Sequence, residues 1–450
     1  MTPEAMTALS DELEQFLEDM TFGMGRSERR AAMKAYARGL LLDGERKSLE
    51  PIAARTAAVP EQVQAWRQRL QQAVCVADWD QREIFRRLGI RVAHELPGIS
   101  ALVVDDTGIP KKGRHSVGVA RQYTGTLGRI ENCQVVTSLH LASERGGACV
   151  GARVYLPREW TEDADRLAEV GVPADVTFLE KGRIALELLD DVVAAGLARW
   201  PVVADAGYGD SSEFRAAIAA RGLKYVVGVT GTATIWRPGV SPRPPQKESG
   251  KLGRPRKKWD GGKEVPVAMA AFAESLPDDA WRLVTWKEGS RGPQSGYFAA
   301  VRIRTARGHS KGGPPGEEQW LLCEKTYRKK KPTTYYLSNL PKSTSLKRLV
   351  FLAKLRWRIE RDYQEMKGEL GFDHFEGRGW RGLHHHIALV AAAHAFLTLR
   401  RLFSPRRAHD RAVPSPTSAG AASGSRPLPA VLQTHARACA TDGRLANVIV

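Results

Sequence analysis

The sequence predicts an α/β fold with an α-helical N-terminal domain and an all-β insertion that interrupts the α/β core. Three observations lead to this prediction. Residues 1–96 carry apolar side chains at helical spacing, residues 97–228 alternate β-branched runs with helical segments, and residues 229–345 contain strand-like runs and loops. Strands that alternate with helices are typical of a sheet covered by helices. A chain of 450 residues is also long enough for more than one domain.

The N-terminal domain, residues 1–96, is predicted to be a helical DNA-binding region. Its apolar periodicity falls in four stretches: Leu13–Phe22, Met33–Leu42, Ile52–Ala58 and Val63–Cys75. Helix start signals are supplied by Ser48, Pro60 and Asp78. The last two stretches resemble two short helices joined by a tight turn, as in a helix-turn-helix. Arg67 and Arg69 would then meet DNA phosphates, although two arginines equally suit an ordinary solvated helix face.

Four strands are predicted in residues 97–228, the first part of the α/β core. They lie in residues 98–108, 132–143, 200–210 and 223–231, with helices in residues 178–196 and 213–222. Asp105 and Asp106 end the first apolar run, and Asp205 ends the third. Because α/β folds place their sites at the carboxyl ends of strands, these carboxylates are candidate site residues.

The insertion, residues 229–345, is predicted from four further strands and a long basic loop. The strands lie in residues 281–289, 296–306, 319–327 and 333–341, and the loop occupies residues 237–263. Helices resume in residues 346–403, the helical second part of the core. Residues 404–450, rich in Ser, Pro, Ala and Arg, are predicted to form a disordered basic tail.

The composition restricts the class of partner. A formal net charge of +18 and an isoelectric point near 9.8 favour a polyanion such as nucleic acid. A membrane role is not expected, because no run of about 18 apolar residues is apparent and the first twenty residues are acidic, unlike a signal peptide. The five scattered cysteines form no CxxC pair, which fits a reducing cytoplasm and buried, unreactive thiols.

One stretch of the second core part combines charges in an unusual pattern. Residues 355–373, LRWRIERDYQEMKGELGFD, contain helix formers almost throughout and no proline, and are predicted to run as one helix. At helical spacing its Arg356, Glu360, Tyr363 and Lys367 share one face. Such pairs also occur on solvated helix faces, where each stabilises the helix by only about 0.2–0.5 kcal/mol. The face is therefore either an ordinary solvated surface or part of a functional site, and the rest of the chain has to decide between the two.

Three carboxylates stand where an α/β core could bring them together: Asp105, Asp205 and Glu360. Three adjacent carboxylates cannot all stay ionised without a counter-charge, which a pair of divalent cations supplies. Mg²⁺ prefers a few carboxylates, water and substrate phosphate oxygens as ligands. Two such ions, roughly 3.5–4 Å apart, promote in-line phosphoryl transfer.

The order Asp, Asp, Glu, within VVDDT, VVADAGYGD and a helix of form R-x3-E-x6-K, resembles the DDE transposases of bacterial insertion sequences. The closest likeness is to the superfamily with a Y-x2-R-x3-E-x6-K signature, which Arg356, Glu360 and Lys367 match. The tyrosine of that signature is replaced by Ala353, so its role is absent or supplied elsewhere. The long interval between Asp205 and Glu360 fits the β-stranded insertion of that superfamily.

The resemblance, which covers roughly residues 97–400, implies an RNase H-like core with Asp105, Asp205 and Glu360 as catalytic ligands of two Mg²⁺ ions, for which Mn²⁺ can substitute. The family pattern places the catalytic Asp two residues before a Thr or Ser, which selects Asp105; Asp106 would then cap the following turn or hydrogen-bond nearby backbone. The implied partner is double-stranded DNA, namely the terminal inverted repeats of the element and the target DNA.

The implied reaction is cleavage at the element ends followed by joining of the 3′ ends to target DNA. The implied location is the bacterial cytoplasm, at the nucleoid. The protein would be a dimer in its DNA complex. Arg356 and Lys367 would bind DNA phosphates beside the metals. Two alternatives stay open. One is a metal-dependent nuclease without strand transfer, and the other is a DNA-binding regulator with an inactive core.

Weaker signals concern further DNA contacts. Gly253-Arg254-Pro255, followed by Arg256, resembles an AT-hook that enters a narrow minor groove, but a solvated basic loop explains it equally well. Arg121 either borders the DNA or belongs to a glycine-rich turn. Some relatives wedge a tryptophan of the insertion against a flipped base; the candidates here are Trp259, Trp281, Trp286 and Trp320. His384, His385 and His386 point in three directions on a helix and are expected to divide between packing and DNA-facing roles.

Overall fold

A computed structural model describes residues 2–125, 128–245, 257–289, 292–325 and 331–403. The predicted tail, residues 404–450, and the AT-hook candidates Arg254 and Arg256 lie outside these ranges. The helices are α1 (Pro3–Thr21), α2 (Ser27–Leu41), α3 (Leu49–Thr56), α4 (Val63–Gln71), α5 (Gln81–Glu95), α6 (Arg158–Thr161), α7 (Ala164–Glu169), α8 (Lys181–Ala194), α9 (Ala206–Gly209), α10 (Ser212–Ala220), α11 (Met269–Glu274), α12 (Leu346–Lys354), α13 (Trp357–Gly368) and α14 (Trp380–Phe403).

The strands number twelve in the described residues. They are β1 (Ala101–Pro110), β2 (Ala120–Thr124), β3 (Arg129–Ala142), β4 (Gly147–Tyr155), β5 (Val202–Ala204), β6 (Tyr225–Val229), β7 (Thr234–Trp236), β8 (Val267–Ala268), β9 (Arg282–Gly289), β10 (Gly292–Thr305), β11 (Glu318–Lys325) and β12 (Thr334–Ser338). All of them belong to one mixed sheet. The predicted mixed α/β class and the helical N-terminal region are confirmed.

The N-terminal region forms five helices, α1 to α5, two of which differ from the prediction at their starts. α5 begins after Asp80, whose carboxylate accepts a hydrogen bond from the Arg82 amide at 2.9 Å, rather than after Asp78. Residues 57–62, which include the 3₁₀ turn Pro60–Gln62, separate α3 from α4. This connection is longer than the three to four residues usual in a helix-turn-helix, because Pro60 starts an extra turn.

The centre of the sheet is formed by β1, β5 and β6, which run parallel. β3 pairs antiparallel with β1, and β4 pairs antiparallel with β3. The sequence analysis missed β4 and β2. β4 follows β3 through a hairpin and is buried along most of its length, so it shows no alternation of polar and apolar residues.

The strands of the insertion lie close to their predicted positions, but the region is not all-β. It also contains α11, and its strand β12 pairs antiparallel with β6, so the insertion strands continue the central sheet. The order from the centre outward is β6, β12, β11, β10, β7 and β8, and β9 pairs with β10. Since β6 is a central strand, the register of the insertion is fixed to the core.

The helix predicted over residues 355–373 is confirmed as one helix but is shorter at both ends, and a break separates it from the helix before it. α12 ends at Lys354, α13 starts at Trp357, and α13 ends at Gly368. At the break the amides of Leu355 and Arg358 bond to carbonyls three residues back rather than four, at 3.1 and 2.9 Å, so the backbone tightens there. Helix propensity alone does not reveal this break, since every residue at it is a helix former.

α14 corrects two expectations. Its segment Trp380–Leu402 is long and apolar enough to cross a membrane by composition, but 94% of the apolar window is buried inside the protein. The three histidines on it, His384, His385 and His386, are all buried, so none faces outward to DNA. Burial lowers the pKa of each ring to about 4, which keeps all three neutral.

Gly209, at the end of α9, is predicted to be intolerant of a side chain. A Cβ there would overlap the Gly228 carbonyl oxygen and come within 2.9 Å of the Val227 Cβ. Gly209→Ala should therefore lower the free energy of unfolding by about 1–3 kcal/mol in a denaturant titration. Gly182→Ala in α8 is the matched control, because its Cβ would meet only Phe214, at 3.8 Å. The control should stabilise the protein by roughly 0.5–1 kcal/mol; equal stabilities for the two variants would contradict this packing.

Candidate active site

The strand register brings two of the three predicted carboxylates side by side. β1 and β5 are parallel, with Leu102 opposite Val202 and Val103 opposite Val203. Two residues further on, Asp105 is therefore level with Asp205. Neighbouring strands lie about 4.8 Å apart, so the two carboxylates are close neighbours at the carboxyl end of β5.

Asp105 differs from the prediction in lying within its strand, because β1 continues to Pro110. Its side chain is buried; Oδ1 accepts a hydrogen bond from the Asp106 amide at 2.8 Å, and Oδ2 accepts one from the Arg356 guanidinium at 2.8 Å. Burial raises the pKa of Asp105 to about 6, with Asp205 and Asp106 adding to the rise and Arg356 opposing it. Removal of this carboxyl from water is thus the main cause of the shift, and the neighbouring carboxylates add a smaller part.

Asp106 points to the other face of the sheet, as alternation along a strand requires. Its Oδ2 accepts hydrogen bonds from Lys181 at 3.0 Å and from the Tyr208 hydroxyl at 3.2 Å. The expectation that Asp106 caps the following turn is therefore wrong, since no turn follows it within β1. Lys181 and Tyr208 belong to α8 and α9, and such long-range partners leave no local sequence signal.

Asp205 stands at the junction between β5 and α9. It is the N-cap residue of α9, and its Oδ1 lies 3.4 Å from the Tyr208 amide. The predicted strand in residues 200–210 is thus only three residues long before the chain turns into a helix. This turn directs the Asp205 carboxylate toward the edge where Asp105 lies.

Glu360 is connected to this pair through Arg356. The guanidinium bonds to Glu360 Oε1 at 2.5 Å through Nη2 and to Asp105 Oδ2 at 2.8 Å through Nη1. Burial alone would lower the pKa of Arg356, but Asp105, Glu360 and Asp205 together raise it. Arg356 is thus the shared counter-charge of all three carboxylates. The break before α13 places it between the helix and β1.

The remaining residues of the predicted helix face also contact the sheet. Lys367 Nζ donates to Thr107 Oγ1 at 2.7 Å and to the Gly108 carbonyl at 2.8 Å. The buried Tyr363 hydroxyl is 2.6 Å from Ser138 Oγ. The interpretation of this face as an entirely solvated helix surface is therefore wrong, although Glu360 itself is exposed. In this conformation Arg356 and Lys367 contact the protein, so their predicted roles in DNA binding stay predictions.

A buried polar chain holds α13 in this orientation. Ser138 Oγ is 3.1 Å from His140 Nε2, His140 Nδ1 is 3.0 Å from Asp362 Oδ2, and Asp362 Oδ1 accepts from Arg358 at 3.0 Å. Burial favours the neutral His140 ring, but Cys149 and Asp362 outweigh it and raise the pKa of His140 to about 9. The imidazolium and carboxylate then form a charged buried pair, which fixes α13 against β3.

The donor set suits a hard divalent cation, but it is not assembled as a ready-made cage. Carboxylate oxygens are the ligands that Mg²⁺ prefers, and three carboxylates here share the single Arg356 guanidinium. Within the described residues, no three His, Cys, Asp or Glu side chains are close enough together to hold one ion. The Arg356 guanidinium occupies the position between Asp105 and Glu360. Assembly of a metal site would require Arg356 to release these carboxylates.

The other DNA-contact candidates are separated from this cluster in the sequence and have different exposures. Arg121 is exposed on β2, opposite Asn132 of β3. The four candidate tryptophans of the insertion are all at least half-buried: Trp259, Trp281, Trp286 and Trp320. Trp286 packs edge-on against Phe298, with ring centroids 5.7 Å apart. The geometry singles out none of the four as a base wedge.

Tyr336 of β12 is a residue that the sequence analysis missed. Burial raises the pKa of its phenol, and the charge of Arg356 opposes that rise, which places Tyr336 beside the site. The adjacent Tyr335 and Tyr336 gave only a strand signal, since alternation sends the two rings to opposite faces.

Comparison with known proteins gives two findings. The family model described as "DDE superfamily endonuclease" matches residues 15–293. The probable transposase for insertion sequence element IS701 of Microchaete diplosiphon is 28% identical over 208 residues, which cover 44% of this chain and 48% of that protein. The match thus spans about half the length of that relative. The family match includes Asp105 and Asp205 and ends before Glu360.

Proposed function

Because the chain belongs to the DDE superfamily of endonucleases, we propose that it is a DNA transposase with Asp105, Asp205 and Glu360 as its catalytic carboxylates. It would bind the ends of an insertion element, cut there, and join the 3′ ends to target DNA. The observation that carries the proposal is the register that sets Asp105 level with Asp205, together with the arginine that joins Asp105 to Glu360.

The three carboxylates would hold two Mg²⁺ ions, with Mn²⁺ as a substitute. When bound, these ions activate the attacking oxygen and stabilise the leaving oxygen of an in-line phosphoryl transfer. Arg356, once it has released Asp105 and Glu360, would bind a DNA phosphate beside them. Lys367 would hold the β1 backbone at Gly108 and keep α13 in register with Asp105.

The finer architecture is part of the proposal. The strand order β4, β3, β1, β5, β6, with β1, β5 and β6 parallel and β3 antiparallel to β1, supports an RNase H-like core. The helices of residues 1–96 and the net charge of +18 support binding to double-stranded DNA. A dimer would pair the two ends of the element with two active sites.

Strand transfer tests this function directly. Purified protein is incubated with Mg²⁺, a labelled DNA end taken from the flanking genomic sequence, and a supercoiled plasmid as target. The expected result is nicks at the element boundary and labelled ends joined to the plasmid, with both lost in EDTA. Nicks without joined product would favour the nuclease alternative, and binding without nicks would favour the inactive regulator.

A further inference from the structure

A second cationic site lies on a different face of α13 from Glu360 and Lys367: at about 100° per residue, Arg358 and Glu365 are roughly 140–160° around the helix from Glu360, and Arg361 is about 100° from it. A cavity of about 270 Å³ is lined there by Arg145, Trp357, Arg358, Arg361, Glu365, Thr398 and Arg401. This arginine pocket is formed by α13, α14 and the turn between β3 and β4. None of its residues belongs to the proposed catalytic cluster.

The arginine pocket is lined by four arginines and one carboxylate, Glu365, and Arg358 is also paired with Asp362 behind the pocket. Glu365 is buried and accepts bonds from Arg361 and Arg401, both at 2.7 Å. Arg145 is exposed on the turn between β3 and β4. Lys287 of β9 adds a further cation, with its Nζ 3.2 Å from the centroid of the neighbouring Trp357 ring. Burial lowers the pKa of Lys287, and the repulsion of Arg358 and Arg361 lowers it further, so like charges crowd here.

Thr398 gives an independent sign of a ligand. Its side chain lines the pocket and is only 4% exposed, yet within the described residues its Oγ1 has no hydrogen-bond partner. A buried hydroxyl without a partner carries a desolvation cost that a bound acceptor would remove. A hydroxyl donor beside several guanidinium groups matches an oxyanion.

We infer that the arginine pocket binds one phosphate group of a DNA backbone, on a duplex segment other than the one being cut. Guanidinium groups fit phosphate geometry with two parallel bonds, and threonine donates to a third oxygen. The cavity is smaller than the roughly 300–1,000 Å³ of small-molecule sites, which suits a single phosphate group rather than a free nucleotide. Arg358 and Glu365 lie on a different face of α13 from Glu360, so a phosphate held by the pocket is not the one beside the catalytic carboxylates.

This inference rests on the proposed DNA function, and its test separates the two. Binding of an unrelated DNA duplex is measured by fluorescence anisotropy in EDTA over a range of salt concentrations. Thr398→Val removes only the hydroxyl and should weaken binding by about tenfold without lowering the melting temperature. Arg145→Ala should weaken binding and reduce the salt slope by about 0.9, the value for one phosphate contact. Arg199→Ala, an exposed arginine outside the pocket, is the matched control.

The outcomes are distinct. If the wild-type protein binds and cleaves DNA, and both pocket variants keep the wild-type affinity and salt slope, only the phosphate site is overturned. Wild-type protein that binds no DNA would overturn the proposed function. A third outcome combines two observations: inorganic phosphate raises the melting temperature of the wild type but not of Thr398→Val, and DNA affinity is unchanged in the variants. This outcome would assign the pocket to a free anion and overturn the DNA assignment. If Thr398→Val does not fold, Arg145→Ala decides.

Discussion

Replacing Glu360 with glutamine is expected to reduce DNA cleavage by roughly 10²–10³-fold, because a lost metal ligand removes several kcal/mol of transition-state stabilisation. The fold should survive. Glu360 is 58% exposed, and its contact with Arg356 is an i, i+4 ion pair on a helix surface. Such exposed pairs are worth only about 0.3–0.5 kcal/mol. The measurement is single-turnover cleavage of a labelled element end, with the melting temperature and end binding recorded on the same protein.

Glu369→Gln is the matched control for this variant, since Glu369 is another exposed glutamate, at the C-terminal end of α13. It should cleave at the wild-type rate. Wild-type cleavage by Glu360→Gln as well would remove Glu360 from the proposed site. The outcome is informative because the family match ends at residue 293, so the assignment of Glu360 depends on the geometry of the site alone.

A second large effect is expected at Asp105. Asp105→Asn should abolish Mg²⁺-dependent cleavage by a comparable factor, roughly 10²–10³-fold, while stability is kept or increased at neutral pH. The physical reason is its environment: burial raises the pKa of this carboxyl to about 6, so at pH 7 the folded protein loses stability by keeping it ionised. Strand transfer from one pre-cleaved end, alongside end binding, separates lost chemistry from lost affinity.

Asp106→Asn provides the contrast. Its carboxylate faces Lys181 and Tyr208 on the other side of the sheet, and an asparagine oxygen can still accept from both. Cleavage should therefore stay within about tenfold of wild type, with at most about 1 kcal/mol lost from a partly exposed ion pair. An inactive Asp106→Asn beside an active Asp105→Asn would show that Asp106, not Asp105, is the ligand.

The fold was predictable where the local pattern and the tertiary structure agree. Apolar periodicity located most of the helices, and β-branched runs located β1, β3, β6 and the four longer strands of the insertion. Periodicity failed for β4, whose residues are buried on both faces. It also gave no sign that β12 would join β6, because pairing between distant strands depends on the packing of the whole sheet.

The candidate site was predictable as a set of residues but not as an arrangement. The order of carboxylates and the spacing of Arg356, Glu360 and Lys367 pointed to the residues that the structure brings near one another. The helix break at Leu355 and the salt link from Arg356 to Asp105 could not be foreseen, since they depend on tertiary contacts between α13 and β1. Tyr336 carries no local signal for the same reason.

The pairing of β12 with β6 has a consequence for anyone who wishes to trim this protein. All five residues of β6 are buried, and β12 covers the hydrogen-bonding side that does not face β5. Excising the insertion would turn β6 into an uncapped sheet edge with a row of exposed amide and carbonyl groups. Such apolar edges recruit strands from other molecules and lead to aggregation. A soluble minimal catalytic fragment should therefore retain β12, or replace it with a charged strand of equal length.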